Sequence, residues 1–422
     1  MKVLLVSTSD QIGGAAIACT RIFRALRKYD VDVKMLVREK KLNDDGIFTV
    51  NTGFWRKVFN FASFCLERLQ LFFLLRFRKK YLFQVSLDNF GSYDLVNNPL
   101  VKEADVINFH WTSQAMLSLS QLQKLLIQGK RIVFTMHDMH YFTGICHYAR
   151  NCKRFQNGCG NCFYLGKSKS ENDISHRWLN KKLSIANRLS MTFVGCSRWL
   201  ADIARTSQMF KNMRVTDIPN PIDTTVFRAI NKEEARDKFN VNGKYVVLFG
   251  AFKISDPRKG FEYLEKALHY IHERFPGYDD VIELLVFGQC DSSLLSKLPY
   301  RSKSVGYISN EKDLVALYSA ADVYVTPSLE DNLPNTVMEA LSCSVPCVSF
   351  NVGGLPQLID HKQNGYLAEY CNYQDLANGI MQILQTVDRN SLRHAARKKV
   401  EENFSETVVA MRYNELFMSV NN

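Results

Sequence analysis

Two segments in the second half of the chain combine cations, carboxylates and glycines at spacings that suit phosphate chemistry. ISDPRKGFEYL (254–264) sets Arg258 and Lys259 just ahead of a glycine and a helical pattern, beside the end of the apolar run 245–250. Two adjacent cations at such a turn can clamp a diphosphate. PSLEDNLPNTVMEALSCSVPCVSF (327–350) joins a strand pattern to a helix pattern through an acidic, proline-bearing turn. Asn332 and Leu333 precede a helix expected to begin near Pro334, since proline suits a first helical turn. The N–H groups of Asn335 and Thr336 then form an anion site. Glu339, inside that helix, can accept from a diol such as a ribose, and Asp331 lies eight positions earlier. NVGGLPQLI (351–359) supplies another Gly-rich turn after the following strand.

In the first half, the opening strand runs into STSDQIGGAAIACTRIFRAL, where Gly13 and Gly14 open a helical pattern. Glycines there let backbone N–H groups approach an anion, although a Gly-Gly turn after a strand is often only a turn. The spacing is not GxGxxG, so a nicotinamide cofactor is not expected. His110 in NFHW and His137 in TMHDMHYFTG end two successive strand patterns. Ligands of open parallel sheets gather at that carboxyl edge. A histidine there either hydrogen-bonds a ligand hydroxyl or phosphate, or merely caps its strand. His110 and Asp138 are candidates for the acceptor side.

Cys146, Cys152, Cys159 and Cys162 follow as C-x5-C-x6-C-x2-C within one loop-like segment. Four thiolates suit a structural, tetrahedral zinc, with His147 able to replace one ligand; four unrelated reduced cysteines are the alternative. A closed four-ligand site has no open position, so such a metal is structural rather than catalytic.

These residues need a scaffold, and the pattern supplies one. Short apolar runs at 2–7, 31–37, 105–110, 131–137 and 191–197, then at 245–250, 282–288, 323–328 and 346–350, alternate with amphipathic segments. That rhythm predicts an α/β chain with two parallel-sheet domains. A length of 422 residues with 46% hydrophobic and 23% charged content fits two globular domains. No apolar run is long enough to span a membrane. MKVLLVSTSD reads as a first buried strand rather than an export leader. The eleven cysteines then point to a reducing, cytoplasmic setting.

Charge is uneven: residues 1–198 hold 30 Lys and Arg against 14 Asp and Glu, and the remainder 24 against 28. Residues 54–83, FWRKVFNFASFCLERLQLFFLLRFRKKYLF, concentrate aromatics, leucines and seven cations. Such a segment either lies in an anionic membrane interface or packs as a helical hairpin on its own domain. Nucleic acid is not an expected partner, because it leaves the phosphate-binding block of the second half without a purpose.

SLEDNLPNTVMEALSCSVPCVSF, NVGGLPQLI and NGYLA, together with VGYI, YSAADVYVTPS, IPNPIDTTVF and DPRKG, resemble the retaining family-four glycosyltransferases of the GT-B fold over almost the whole chain. HDMHYFTGICHY and CGNC are similar to a bacterial subgroup that builds cell-surface polysaccharides. The resemblance implies two Rossmann-like domains facing across a cleft, 1–196 and 197–404, with a C-terminal helix near 405–422 packing back on the first. It implies hexosyl transfer with retention from a nucleotide-sugar to a glycan or lipid-linked glycan acceptor. Glu339 would hold the donor ribose, Lys259 and Arg258 would neutralise the diphosphate, and Gly14 would face the donor phosphates. His137 would lie beside the reacting sugar, and Asp331, with Glu330 adjacent, would be the acid nearest it. The family's usual Gly-Arg is Gly250-Ala251 here. That departure leaves a catalytically idle donor-binding subunit of a polysaccharide assembly complex as the alternative. The lone D-x-D, Asp30 to Asp32, reads as surface, so catalysis is expected to need no metal or other cofactor. The expected location is cytoplasmic, with 54–83 the candidate for peripheral contact with the inner face of the membrane.

Overall fold

The computed structural model describes residues 1–186, 191–211 and 213–420. They form two compact units, Met1–Pro221 with the segment from Val409 onward, and Ile222–Val408. In the first unit the strands are β1 (Val3–Ser9), β2 (Val33–Glu39), β3 (Ile47–Thr49), β4 (Val106–Phe109), β5 (Arg131–Met136), β6 (Thr192–Gly195) and β7 (Val215–Asp217). They pair in parallel in the order β3-β2-β1-β4-β5-β6-β7. The second unit has β8 (Tyr245–Lys253), β9 (Ile282–Gln289), β10 (Arg301–Gly306), β11 (Val323–Thr326), β12 (Cys347–Phe350) and β13 (Gly365–Ala368). These are also parallel, in the order β10-β9-β8-β11-β12-β13.

Both sheets reverse their direction of strand addition in the middle, between β1 and β4 and between β8 and β11. The crevice beyond the carboxyl ends at such a switch point is where open α/β sheets bind ligands. Each sheet is sandwiched because its strands are apolar on both faces. In the first unit, Cys19, Ile22, Phe23 and Leu26 of helix Gly14–Lys28 pack with Val3, Leu5, Val33 and Met35 on one face. Leu122 and Leu125 of helix Leu119–Ile127 join Ile107, Phe109 and Phe134 on the other. In the second unit, helices Phe261–Arg274 and Tyr373–Gln385 cover one face. Helices Glu311–Ala320, Asn335–Ser342 and Arg389–Asn403 cover the other.

The sequence puts the domain boundary at 196/197, whereas the first unit runs on to Pro221. The reason is local: Ser197 caps helix Arg198–Arg205, and the chain beyond it pairs as β7 against β6. The last helix, Glu406–Ser419, buries Val409, Tyr413 and Phe417 in the core of the first unit, and Tyr413 Oη lies 3.2 Å from Thr135 Oγ1. Asp30 and Asp32 are exposed at the amino-terminal edge of β2, the end of the strands away from the switch point.

Candidate active site

In the second unit three loops converge beyond the carboxyl ends of β8, β11 and β12. After β8, Asp256 caps the short turn Pro257–Lys259, and Gly260 follows at φ +69. A Cβ at Gly260 would sit 1.9 Å from the Pro327 carbonyl oxygen, so glycine is what lets this loop touch the one after β11. Leu329 N–H donates to the Arg258 carbonyl at 2.8 Å and locks the two together. After β12, Gly354 N–H donates to the Asp331 carbonyl at 3.2 Å, and a Cβ on Gly353 would clash with that same oxygen.

Asp331 stands at the meeting point. Lys259 Nζ donates to its Oδ2 at 2.6 Å, Ser328 Oγ donates to the same oxygen at 3.3 Å, and Asn332 N–H donates to Oδ1 at 3.1 Å. Of the two adjacent acids, Asp331 is therefore the one held by the lysine. Glu330 lies toward Tyr370, whose phenol is pushed up by burial, then by Cys371 and by the Glu330 charge. Arg258 does not join Lys259: its guanidinium donates to Asp256 at 2.6 and 3.3 Å. Burial pushes the Asp256 carboxyl up, but the Arg258 bonds and charge prevail and hold it below its ordinary value. Ala251, where an arginine is expected by resemblance, is buried in the core.

The helix starts at Asn335, with Pro334 as its N-cap. Asn335 and Thr336 form its first turn, whose N–H groups point out of the N-terminus. Asn332 is buried, and Leu333 packs its side chain into the core, so Leu333 can reach a ligand only through its backbone. Glu339 accepts from Tyr318 Oη at 2.8 Å. Tyr318 is fully buried on helix Glu311–Ala320, and its phenol is pushed far up by burial and then by the Glu339 charge. It stays a donor and fixes one Glu339 oxygen.

In the first unit, Gly13 adopts φ +89 as the N-cap of helix Gly14–Lys28, a conformation that favours glycine. The loop before it is anchored by Asp10, whose carboxylate accepts from the N–H groups of Lys41 and Leu42 at 2.9–3.0 Å. His110 and His137 follow β4 and β5 and are brought together, with Nδ1 of His110 3.0 Å from Nε2 of His137 and the rings stacked at 5.3 Å. His110 is fully buried and its Nε2 meets no partner among the described residues. Burial holds His137 down to about 4 despite the neighbouring Asp138 charge, and burial, with the His137 charge, also holds His110 well below its ordinary value. Both rings are neutral near pH 7, so one donates to the other.

Asp138 is held by three donors. It accepts from Trp111 Nε1 at 3.0 Å, from His147 Nδ1 at 2.7 Å and from His140 N–H at 2.9 Å. Burial opposes its charge, yet His147 and the hydrogen bonds bring it to about 2. Behind it lies a buried network that the sequence did not signal: His140 Nε2 sits 2.9 Å from Asp88, and Lys182 Nζ 3.3 Å from the same carboxylate.

Cys146, Cys152, Cys159 and Cys162 line one pocket with Gly144, Phe155 and Gly160, and all four are reduced. Gly144 N–H donates to Cys159 Sγ at 3.3 Å. His147 is not a spare ligand, because its Nδ1 meets Asp138 and its Nε2 meets Ser86 at 3.0 Å. As the side chains stand, no group of three or more His, Cys, Asp or Glu among the described residues is arranged to hold a metal ion.

Comparison with known proteins bears most directly on the second unit. The sequence family described as Glycosyl transferases group 1 matches residues 243–386. An uncharacterized glycosyltransferase of Haemophilus influenzae is 31% identical over 125 residues, 29% of this chain and 35% of that protein. The Escherichia coli UDP-Gal:alpha-D-GlcNAc-diphosphoundecaprenol alpha-1,3-galactosyltransferase is 24% identical over 216 residues, 49% of this chain and 55% of that protein. The matched region thus covers less than two thirds of either relative. The crystal structure of Anabaena HepE in complex with UDP superposes over 99% of this chain and 100% of HepE, at 16% identity and TM-score 0.66. That likeness, with the two parallel sheets, shows the GT-B fold. Residues 243–386, which carry Lys259, Asp331 and Glu339, match the group 1 glycosyl transferases.

Proposed function

We propose that this chain is a retaining glycosyltransferase that moves a hexosyl group from a nucleotide-sugar to a glycan or lipid-linked glycan acceptor in cell-surface polysaccharide synthesis. The observation that carries the reading is the contact of Lys259 with Asp331 at the meeting of three loops beside a helix N-terminus. An ammonium held at 2.6 Å from a carboxylate is a cation stored beside the place where a diphosphate would lie. Bond breaking at the sugar's anomeric carbon leaves charge on the departing nucleoside diphosphate. Lys259 and the N–H groups at 335–336 stabilise that charge, and Arg258 contributes once it leaves Asp256. The acceptor oxygen bonds to the anomeric carbon on the face the diphosphate leaves, and its proton passes to the departing phosphate oxygen. Nothing in this scheme calls on a metal or other cofactor.

Glu339, with one oxygen fixed by Tyr318, receives the ribose diol of the donor. Glu339→Ala is expected to raise the donor KM about tenfold or more with a smaller change in kcat, and Tyr318→Phe to shift KM the same way by less. Steady-state kinetics at varied donor concentration checks this; an unchanged KM in Glu339→Ala contradicts ribose binding. Initial turnover assays with a panel of nucleotide-sugars test the reading itself. Donor binding without release of nucleoside diphosphate favours the idle-subunit alternative, to which Ala251 points.

We propose that Cys146, Cys152, Cys159 and Cys162, which line one pocket, would as thiolates hold one structural zinc that staples their loop. Elemental analysis of the purified chain is expected to find about one zinc per molecule. Metal-free protein whose melting temperature ignores chelators contradicts it.

A further inference from the structure

Helix Phe54–Leu74 is built inside out. Its buried side carries polar residues: Asn60, Ser63, Glu67 and Arg68 face the protein along with Leu71. Each of the longer ones has a matched partner. Asn60 donates to Asn51 at 2.7 Å and accepts from Tyr93 N–H at 2.7 Å. Glu67 accepts from Arg68 at 2.8 Å and from Leu87 N–H at 3.2 Å, while Arg68 also donates to the Leu82 carbonyl at 2.7 Å. These bonds fix which way the helix faces. What it turns to solvent is apolar: Phe54 is 70% exposed, Trp55 79%, Phe61 68% and Phe73 58%, with Val58 and Leu69 exposed between them. Positions 54, 58, 61, 65, 69 and 73 recur at steps of three and four, so they form one stripe along the helix. A surface helix of a globular domain ordinarily has the opposite arrangement.

Charge says what covers the stripe. Glu67 is the one acid in 54–83, and it is buried. Lys57 stands exposed at the start of the helix, and Arg76, Lys79 and Lys80 stand exposed just beyond its end. An apolar face about 30 Å long, with cations at both ends and no exposed acid, fits the headgroup boundary of an anionic bilayer. Apolar side chains enter the acyl region there while lysines stay with the phosphates. No helix among the described residues is long and apolar enough to cross a membrane, so contact by this helix would lie in the surface plane.

We propose that the outward face of helix Phe54–Leu74, with the basic turn at 76–80, docks the chain on an anionic phospholipid surface. Vesicle binding is separate from sugar transfer and is measured without turnover. The full-length chain is floated with phosphatidylcholine vesicles, with and without phosphatidylglycerol. The wild type is expected to rise with the anionic vesicles and to be released by salt. Phe61→Ser with Leu69→Ser replaces exposed side chains only; it should keep the wild-type melting temperature and lose about tenfold or more of the binding. Lys79→Glu with Lys80→Glu should lose a similar factor on anionic vesicles. Three results overturn the proposal. Wild-type protein stays at the bottom with both vesicle types, or both double variants float as the wild type does. In the third, the wild type forms a dimer that Phe61→Ser with Leu69→Ser dissolves while no vesicle is bound, which assigns the face to a second copy.

Discussion

Lys259→Ala is expected to lower kcat by about 10²–10³, the loss typical when a preorganised group facing a developing negative charge is removed. The same change should barely affect stability. Lys259 and Asp331 are 30% and 13% exposed, and a pair that open to solvent contributes about 1 kcal/mol or less. Asp331 keeps Ser328 Oγ and Asn332 N–H after the lysine is gone, so no carboxylate is left without donors. The two effects separate cleanly: a melting temperature within a few degrees of wild type beside a collapse of turnover places Lys259 in leaving-group stabilisation. Near-normal kcat removes it from that role.

Lys182→Ala should produce a large loss of stability in the first unit. Lys182 is 4% exposed, donates to the carbonyls of His140 at 2.7 Å and Thr143 at 3.3 Å, and faces Asp88. Burial opposes ionisation of Asp88, yet His140 and Lys182 together hold its carboxyl well below the usual range. Removing the ammonium leaves a buried carboxylate with one imidazole and strands two carbonyls, a change that costs about 3–5 kcal/mol. For a unit of this size that is about 10 °C or more in melting temperature. The pH dependence identifies the cause. A depressed carboxyl contributes stability that is present above its unfolded value near 4 and is lost as pH falls below it. The gap between wild type and Lys182→Ala should therefore narrow below about pH 4; a gap independent of pH contradicts the charge pairing.

What the sequence revealed, and what it hid, follows from local physics. The strands expected from apolar runs are the interior ones, which are buried on both faces. The four that escaped notice, β3, β7, β10 and β13, are the sheet edges. β10 reads RSKSVG and β7 is half-buried throughout, so neither shows a continuous apolar run. The loops of the second-unit site were legible because their glycines, proline and charges are local necessities of tight turns. Their pairing was less so: Arg258 and Lys259 looked like one clamp but face different carboxylates. Tyr318 and Lys182 went unseen because each acts on a residue far along the chain, which only the fold brings near. The partners of His147 likewise come together only in the fold: Asp138 and Ser86 meet its two nitrogens.

The central claim is donor activation in the second unit. It is tested most directly by incubating the wild-type chain with uridine, guanosine and adenosine diphosphate sugars, with simple glycosides and water as the acceptors, and following by proton NMR the released nucleoside diphosphate and the configuration of the first-formed product before any mutarotation. The account predicts that at least one donor releases its nucleoside diphosphate, with the sugar's configuration retained and release suppressed in Lys259→Ala. Saturable donor binding with no release for any donor, or an inverted product, would contradict it.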